Sequence, residues 1–205
     1  MLTLEILQKM LLAAAAELKA KSMYLCELDG VAGDGDHGLT IGRMADAMKA
    51  KIEANDSADM KELLDDLGMA FMGINGGSAG PLWGTVFSGF AEGIDDGVTE
   101  LDAAGIAKMF EQAKEDFMDI SKAKTGDKTM VDALYPALDV GIKAEGDLKT
   151  IFIAMAAAAV AGAEATKDMV ARFGRAKNVG ERSLGTPDPG ATSISILFDS
   201  MAKAL

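Results

Sequence analysis

The chain has 205 residues and a formal net charge of −12. This charge argues against nucleic-acid binding, which needs clustered Lys and Arg. It would also repel a polyphosphate unless metal ions lay between the ligand and the protein. The hydrophobic fraction of 49% predicts a packed globule, and no apolar run has the length and lack of charge of a membrane span. The single cysteine, Cys26, excludes an internal disulfide, and the N-terminus lacks a signal-peptide pattern, so we expect a cytoplasmic protein.

Helix-forming residues dominate, and no segment alternates β-branched or aromatic residues with polar ones as a strand does. We therefore predict an all-α fold with one domain over residues 1–205. The predicted helices cover residues 3–24, 39–54, 58–74, 79–96, 101–121, 128–145, 148–172 and 191–204. Residues 99–102 resemble a capping box, and Asp147 precedes the seventh helix. Pro136 is expected to kink or split the sixth helix.

Four of the seven connections are rich in Gly, Asp or Pro or carry clustered charges: residues 29–38, 75–81, 122–129 and 173–192. They are the first, third, fifth and seventh connections. Helices joined by short loops run antiparallel, so alternate connections lie at the same end of the fold. The pattern predicts an eight-helix, up-and-down antiparallel barrel with its functional site at one end. Four helices begin at that end, and their free N–H groups suit phosphate.

The first of these loops carries three carboxylates, Asp29, Asp34 and Asp36, interleaved with four glycines. Carboxylate oxygens are the ligands that magnesium and calcium prefer, and the glycines allow the loop to fold back on itself. An EF-hand is excluded because the twelfth position counted from Asp29 is Thr40 and not Glu. A turn that caps the second helix is the alternative, but such a turn needs one Asp rather than three.

The other three loops supply candidates for phosphate and base binding. Residues 75–81 resemble a phosphate-cradling loop but lack the Lys of a Walker A motif. Basic residues gather in the third and fourth loops, where we single out Arg175 for phosphate. His37, the only histidine, lies in the first loop, which indicates contact with metal-bound phosphate. Trp83 and Met130 are candidates for a base pocket, with core packing as the alternative.

Taken together, these residues resemble the nucleotide-binding subunit of dihydroxyacetone kinases. The segments that carry the resemblance are Leu28-Asp29, Gly33-Asp34-Gly35-Asp36-His37-Gly38, Gly76-Gly77-Ser78-Ala79-Gly80-Pro81-Leu82, Lys122-Ala123, residues 126–134, residues 180–183 and Asp188-Pro189-Gly190-Ala191. The resemblance implies an eight-helix barrel that binds ADP or ATP at one end through two Mg²⁺ ions. It also implies a separate ketose-binding kinase subunit, which holds the ketose covalently on a histidine.

The resemblance assigns a role to each matching position. The metal ligands would be Asp29, Asp34 and Asp36. The phosphate contacts would be His37, Gly38, Leu39, Thr40, Ser78 and Ala79. The residues around the rest of the nucleotide would be Leu82, Ser121, Met130, Arg175, Asp188, Pro189 and Gly190. The chain departs from the family pattern in three places: Ser78-Ala79 stands for the usual Ala-Ser, Ser121 for a frequent Gly, and Ala176-Lys177-Asn178-Val179 for an Ala-Ser-Tyr-Leu run.

The activity expected from the resemblance is phosphoryl transfer to dihydroxyacetone or a related short ketose. In one form of the family, ADP is a lasting cofactor rephosphorylated by a phosphohistidine carrier of the phosphoenolpyruvate phosphotransferase system. In the other form, ATP is an exchanging substrate, and the acceptor is another short ketose such as erythrulose. A non-catalytic nucleotide-sensing module is the alternative from a different class. A fatty-acid kinase is disfavoured because no second domain follows Leu205. A homodimer is left open by the sequence.

Overall fold

The computed structural model describes residues 1–143 and 145–205. The helices in this part of the chain are α1 Leu4–Ala20, α2 Ser22–Gly30, α3 His37–Ala54, α4 Met60–Met72, α5 Ala79–Glu92, α6 Ala103–Ile120, α7 Val131–Lys143, α8 Leu148–Ala165 and α9 Pro189–Lys203. Two 3₁₀ segments follow α8, at Thr166–Asp168 and Arg175–Ser183, and two short strands are β1 Leu2–Thr3 and β2 Glu100–Leu101. The prediction of an all-α fold is confirmed.

Eight of these helices form a closed ring, which confirms the predicted barrel. Each helix from α3 to α9 packs against the next one along the chain, and α1 closes the ring by packing against both α9 and α3. Aromatic side chains fill the interior. Phe71, Phe87, Phe90, Phe110 and Phe152 form a chain of edge-to-face contacts with ring centroids 4.9–6.1 Å apart. Such contacts add to the free energy gained by burying the rings.

The first predicted helix is wrong in one respect, because it is two helices. Lys21 leaves helical geometry with φ −89° and ψ 4°, and the chain turns there into α2, which packs on α3 and α9. The close approach depends on Gly38, where a Cβ atom would lie 1.8 Å from the carbonyl oxygen of Ser22. Helix α2 extends to Gly30 and therefore carries Asp29, which the sequence pattern had assigned to a loop.

Several boundaries differ from the predicted ones for local reasons. Leu2 pairs with Leu101 in an antiparallel bridge, so the expectation of no strand is wrong at these two short segments. The N-cap of α6 is accordingly Asp102, whose Oδ1 accepts from the N–H of Gly105 at 2.8 Å. Asp147 caps α8 as predicted. Helix α7 runs through Pro136 without a break.

Helix α8 ends at Ala165 rather than at residue 172. Thr166 ends it, since its hydroxyl donates to the carbonyl oxygen of Ala163 at 2.5 Å and the chain continues as a 3₁₀ turn. Within residues 1–143 and 145–205, Leu148–Asp168 is the one stretch that is long and apolar enough to cross a membrane by length and composition. In the barrel, α8 packs between α7 and α9.

Candidate functional site

The four unusual loops meet at one end of the barrel, as their alternation along the chain predicts. They surround a cavity of about 660 Å³, within the range of small-molecule sites. Residues of all four loops line it: Asp29–His37 in part, Gly76–Ala79, Lys122–Met130 in part, and Phe173–Gly190 in part. Helices α3, α5, α7 and α9 begin at this end. The cavity therefore lies where the sequence pattern predicts that the four loops meet.

Three carboxylates form one wall of this cavity. Asp29, Asp34 and Asp36 each offer one oxygen, and these oxygens lie within 4.8 Å of one another. The Oδ2 atom of Asp29 also accepts from the backbone N–H groups of Asp36 and His37, at 3.0 and 3.2 Å. These bonds fold the loop back onto the end of α2. The spacing and the all-oxygen donor set fit a hard divalent cation such as Mg²⁺.

Two glycines make this arrangement sterically feasible. A Cβ atom at Gly33 would lie 2.2 Å from Oδ1 of Asp29, so the loop can pass over the carboxylate only at a residue without a side chain. Gly76 has a φ of 144°, and a Cβ there would lie 2.2 Å from Oγ1 of Thr40. The second loop therefore lies directly against the first turn of α3.

Arg175 joins the fourth loop to the carboxylate cluster. Its guanidinium forms an ion pair with Asp34, and the same nitrogen lies 3.6 Å from Oδ1 of Asp36. The pair is about half exposed, since the side chains of Arg175 and Asp34 retain 57% and 43% of their accessible surface. Arg175 therefore lies at the carboxylate end of the cavity, and its forked donors are of the kind that suit a phosphate.

His37 is held by a residue that the sequence did not single out. Its Nε2 atom lies 3.2 Å from Oγ of Ser193, and that hydroxyl donates to the carbonyl oxygen of Gly190 at 2.8 Å. Because the serine hydrogen is used in this way, Nε2 of His37 acts as the donor to Ser193. Burial lowers the pKa of the imidazole, although the charges of Asp29 and Asp36 act in the opposite direction. Ser193 thus holds His37 beside the carboxylates.

The helix N-termini at the cavity differ in how their N–H groups are used. Ser78, the N-cap of α5, makes no capping bond with its side chain, so the start of α5 keeps donors for an anion. Asp188 caps α9 by accepting from the N–H of Ala191 at 2.8 Å. Removal from water raises the pKa of the Asp188 carboxyl to about 7. Of these two helices, α5 is the one whose N-terminus has no side-chain cap.

Apolar side chains line another part of the cavity. Leu82, Trp83, Phe117 and Met130 contribute to its wall. Trp83 is only 1% exposed and stacks on Phe87 with the ring planes 12° apart. Trp83 therefore belongs to the aromatic core, as the alternative interpretation expected, and it also borders the cavity. Such a wall suits the faces of a planar base.

The cavity brings together all the site residues predicted from the sequence except Gly38 and Leu39. Gly38 faces α2, and the side chain of Leu39 is 51% exposed. The prediction missed Ser193 and did not single out Lys128, which borders the cavity and is buried. For Lys128 a local signal was available in the sequence, since it lies in the Gly126–Thr129 loop that precedes α7. For Ser193 no such signal was available.

The fold and the site define a class: an all-helical barrel with a carboxylate cluster and an open helix N-terminus at the mouth of a ligand-sized cavity. Comparison with known protein families narrows this class. The model described as the DAK2 domain matches residues 31–203, and the chain belongs to this family. The resemblance found in the sequence is thereby confirmed.

Similar proteins include some of about the same length as this chain and some that are about three times as long. The chain is 34% identical to the PEP-dependent dihydroxyacetone kinase 1, ADP-binding subunit, of Listeria innocua, over 91% of this chain and 89% of that protein. It is 34% identical to the L-erythrulose kinase of Pectobacterium atrosepticum, over 94% of this chain but 33% of that protein. The crystal structure of the dihydroxyacetone kinase from C. freundii in complex with AMP-PNP and Mg²⁺ matches with a TM-score of 0.73 and 26% identity, over 97% of this chain and 33% of that one. The chain thus spans about a third of the length of the last two proteins.

Proposed function

We propose that this chain is the nucleotide-binding subunit of a dihydroxyacetone-type kinase. The observation that carries the proposal is the convergence of Asp29, Asp34 and Asp36 within 4.8 Å at the mouth of a cavity. The printed names of its relatives add weight, since the Listeria protein is an ADP-binding subunit and the C. freundii enzyme was crystallised with AMP-PNP and Mg²⁺.

The three carboxylates would hold two Mg²⁺ ions. When bound, these ions supply positive charge that offsets the charge of the transferring phosphoryl group. The residues of the chain complete the binding of the polyphosphate. Ser78 and Ala79 offer the open N-terminus of α5, and Arg175 offers a guanidinium beside Asp34. This arrangement explains how a chain of net charge −12 can bind a polyanion.

The remaining predicted residues would contact the nucleotide away from the metals. His37 would lie beside the phosphates, with the backbone of Gly38, Leu39 and Thr40 at the start of α3. Around the base and ribose we place Leu82, Ser121, Met130 and the Asp188-Pro189-Gly190 turn. Leu82 and Met130 lie on the apolar wall, and the turn faces them at the start of α9.

The acceptor and the phosphoryl donor form the second half of the proposal. The acceptor is dihydroxyacetone held on a partner ketose-binding subunit, and the donor is a phosphohistidine carrier of the phosphoenolpyruvate system, in the cytoplasm. The high coverage of the Listeria ADP-binding subunit supports this form. A second candidate is an ATP-dependent kinase for erythrulose, which the similarity to the L-erythrulose kinase of P. atrosepticum supports.

Reconstitution with the ketose-binding subunit encoded in the same genome tests both candidates. Dihydroxyacetone and erythrulose would each be offered with phosphoenolpyruvate and the phosphotransferase proteins, or with ATP, and the sugar phosphate would be measured. We expect transfer to dihydroxyacetone from phosphoenolpyruvate, and no transfer with Asp34→Asn. Nucleotide binding without transfer in any combination would refute the kinase and favour a nucleotide-sensing module.

Prolonged dialysis followed by nucleotide analysis distinguishes a lasting cofactor from an exchanging substrate. We expect ADP to remain with the protein in the presence of Mg²⁺ and to leave when a chelator is added, because its binding depends on the metal ions. ADP that is lost easily while Mg²⁺ is present would contradict the lasting-cofactor form and favour the ATP-dependent one.

A further inference from the structure

Lys128 is a buried cation in an unusual backbone conformation. Its side chain is 5% exposed, and its φ of 59° is the one positive value among the non-glycine residues that the structure describes. A lysine with a positive φ is strained, and burial of its ammonium costs free energy unless hydrogen bonds replace water. The surrounding structure therefore has to hold Lys128 in this position.

The ammonium of Lys128 links the two ends of the connection between α8 and α9, which contains the fourth loop. Its Nζ atom donates to the carbonyl oxygen of Thr166, just after α8, at 2.8 Å. It also donates to the carbonyl oxygen of Thr186, two residues before Asp188, at 2.7 Å. Thr166 and Thr186 flank the long segment that contains Arg175. One lysine side chain therefore fixes both ends of this segment to the start of α7.

Two further hydrogen bonds complete the same network. The Oγ1 atom of Thr166 accepts from the backbone N–H of Asp188 at 2.8 Å, and the N–H of Gly185 donates to the carbonyl oxygen of Lys167 at 2.8 Å. Thr166 is fully buried. The first turn of α9 is thereby set against the start of α7. A Cβ atom at Gly190 would lie 3.3 Å from the Cβ of Met130.

The partners of Lys128 are carbonyl groups rather than carboxylates. Within residues 1–143 and 145–205, no carboxylate oxygen lies within 4.0 Å of its Nζ atom. Burial lowers the pKa of Lys128, and the more distant charges of Asp188, Asp132 and Asp168 act in the opposite direction. Through its two carbonyl acceptors, Lys128 holds two separate backbone segments, whereas an ion pair would bind the lysine to a single side chain.

We propose that Lys128 is a positioning residue for nucleotide binding, which holds the Thr186–Gly190 wall of the cavity against α7. It acts on the base and ribose side of the cavity through Asp188, Pro189 and Gly190, and it makes no bond to the carboxylate cluster. This inference rests on the proposed function, because it takes the nucleotide as the ligand of the cavity. It predicts that Lys128 affects the binding of a nucleoside diphosphate and not that of its diphosphate part alone.

The variant Lys128→Met, which removes the ammonium but keeps most of the side-chain volume, tests the proposal. ADP and inorganic pyrophosphate would each be titrated with Mg²⁺ by calorimetry, with the fluorescence of Trp83, the single tryptophan, as a second readout. We expect the Kd for ADP to rise roughly tenfold or more, and the Kd for pyrophosphate to change less than about twofold. Lys124→Met, an exposed lysine of the same loop, is the matched control and should change neither.

Equal weakening of both ligands would mean that Lys128 only supports the general structure, and unchanged ADP binding would mean that it supports nothing at this site. Either result overturns the proposal. If Lys128→Met fails to fold, Thr166→Val provides the decision, since it removes the acceptor of the Asp188 N–H. In Thr166→Val, the Kd for ADP should rise while the Kd for pyrophosphate stays nearly unchanged. Normal ADP binding in this variant would also overturn the proposal.

Hydrogen exchange separates this proposal from the proposed function. Without any ligand, the backbone amides of Gly185 and Asp188 should exchange faster in Lys128→Met than in the wild type. The exchange rate of the amide of Gly105, at the start of α6, should be the same in both proteins. If the wild type fails to bind ADP, the proposed function is refuted. The exchange of these two amides still tests whether Lys128 holds the Thr186–Gly190 segment in place. Unchanged exchange at both would overturn the role of Lys128.

Discussion

The guanidinium of Arg175 pairs with the carboxylate of Asp34 across the mouth of the barrel. This contact joins the fourth loop of the chain to the first, and a second approach to Asp36 at 3.6 Å strengthens it. One cation thus lies among three carboxylates and reduces their mutual repulsion. The same guanidinium is placed to interact with a phosphate bound next to the cluster, so its removal should affect the metal and the nucleotide in opposite directions.

Arg175→Gln is expected to raise the affinity for a divalent cation alone and to lower the affinity for ADP with Mg²⁺. The cation then meets the full negative charge of Asp34 and Asp36, whereas the phosphate loses a charged donor worth about 1.5–3 kcal/mol. Binding of Mn²⁺ in the absence of nucleotide and calorimetry with ADP would measure the two effects. Arg182→Gln, an exposed arginine outside the cavity, is the control, and a fall in both affinities would contradict this account.

Asp34→Asn should lower the affinity for Mg²⁺-dependent ADP binding by about a hundredfold while the helical fold is kept, because an amide is a weaker ligand than a carboxylate. Calorimetry would measure the affinity, and circular dichroism the fold. Asp46→Asn, which alters an exposed carboxylate paired with Lys19, should leave ADP binding unchanged. Normal ADP affinity in Asp34→Asn would refute the metal assignment.

Gly33→Ala is expected to weaken ADP binding tenfold or more, because the added methyl group would lie 2.2 Å from Oδ1 of Asp29 and must displace that carboxylate. Gly30→Ala is the matched control at the end of α2, since a Cβ atom there has no neighbour within 4 Å. The ratio of the two affinities is the measurement. If both variants bind ADP as tightly as the wild type, Asp29 is not a metal ligand in the position described.

Asp188→Asn should change the pH dependence of stability. The folded protein holds the Asp188 proton more tightly than the unfolded chain, since its pKa is raised from 3.8 to about 7. The wild type therefore loses stability as the pH rises from about 4 to about 7, and an asparagine, which can still cap α9, does not titrate. Between pH 5 and pH 8, the free energy of unfolding of the wild type should fall by about 1–3 kcal/mol relative to the variant. Urea denaturation at both pH values measures this difference, and parallel behaviour of the two proteins would contradict the assigned pKa.

Much of the barrel follows from local pattern. Helix propensity, the cap at Asp147 and the alternation of plain and special loops are short-range features, and they were enough to predict the ring of helices and the end at which the loops meet. The break at Lys21 and the pairing of Leu2 with Leu101 were not predicted, because no turn signal marks the break and the bridge joins residues distant in sequence. Both depend on packing partners that a local pattern does not contain.

The sequence by itself determined the chemistry of the site: three carboxylates in a glycine-rich loop, one histidine beside them, and a second loop suited to phosphate. Tertiary structure decided how these groups meet. It brought Arg175 to Asp34, Ser193 to His37, and the ammonium of Lys128 to the carbonyl groups of Thr166 and Thr186. Each of these contacts joins residues that are at least 38 positions apart in the sequence. Their distances are set by the closure of the barrel, which fixes the loops at one end relative to one another. The spacing of residues along the sequence does not predict these distances.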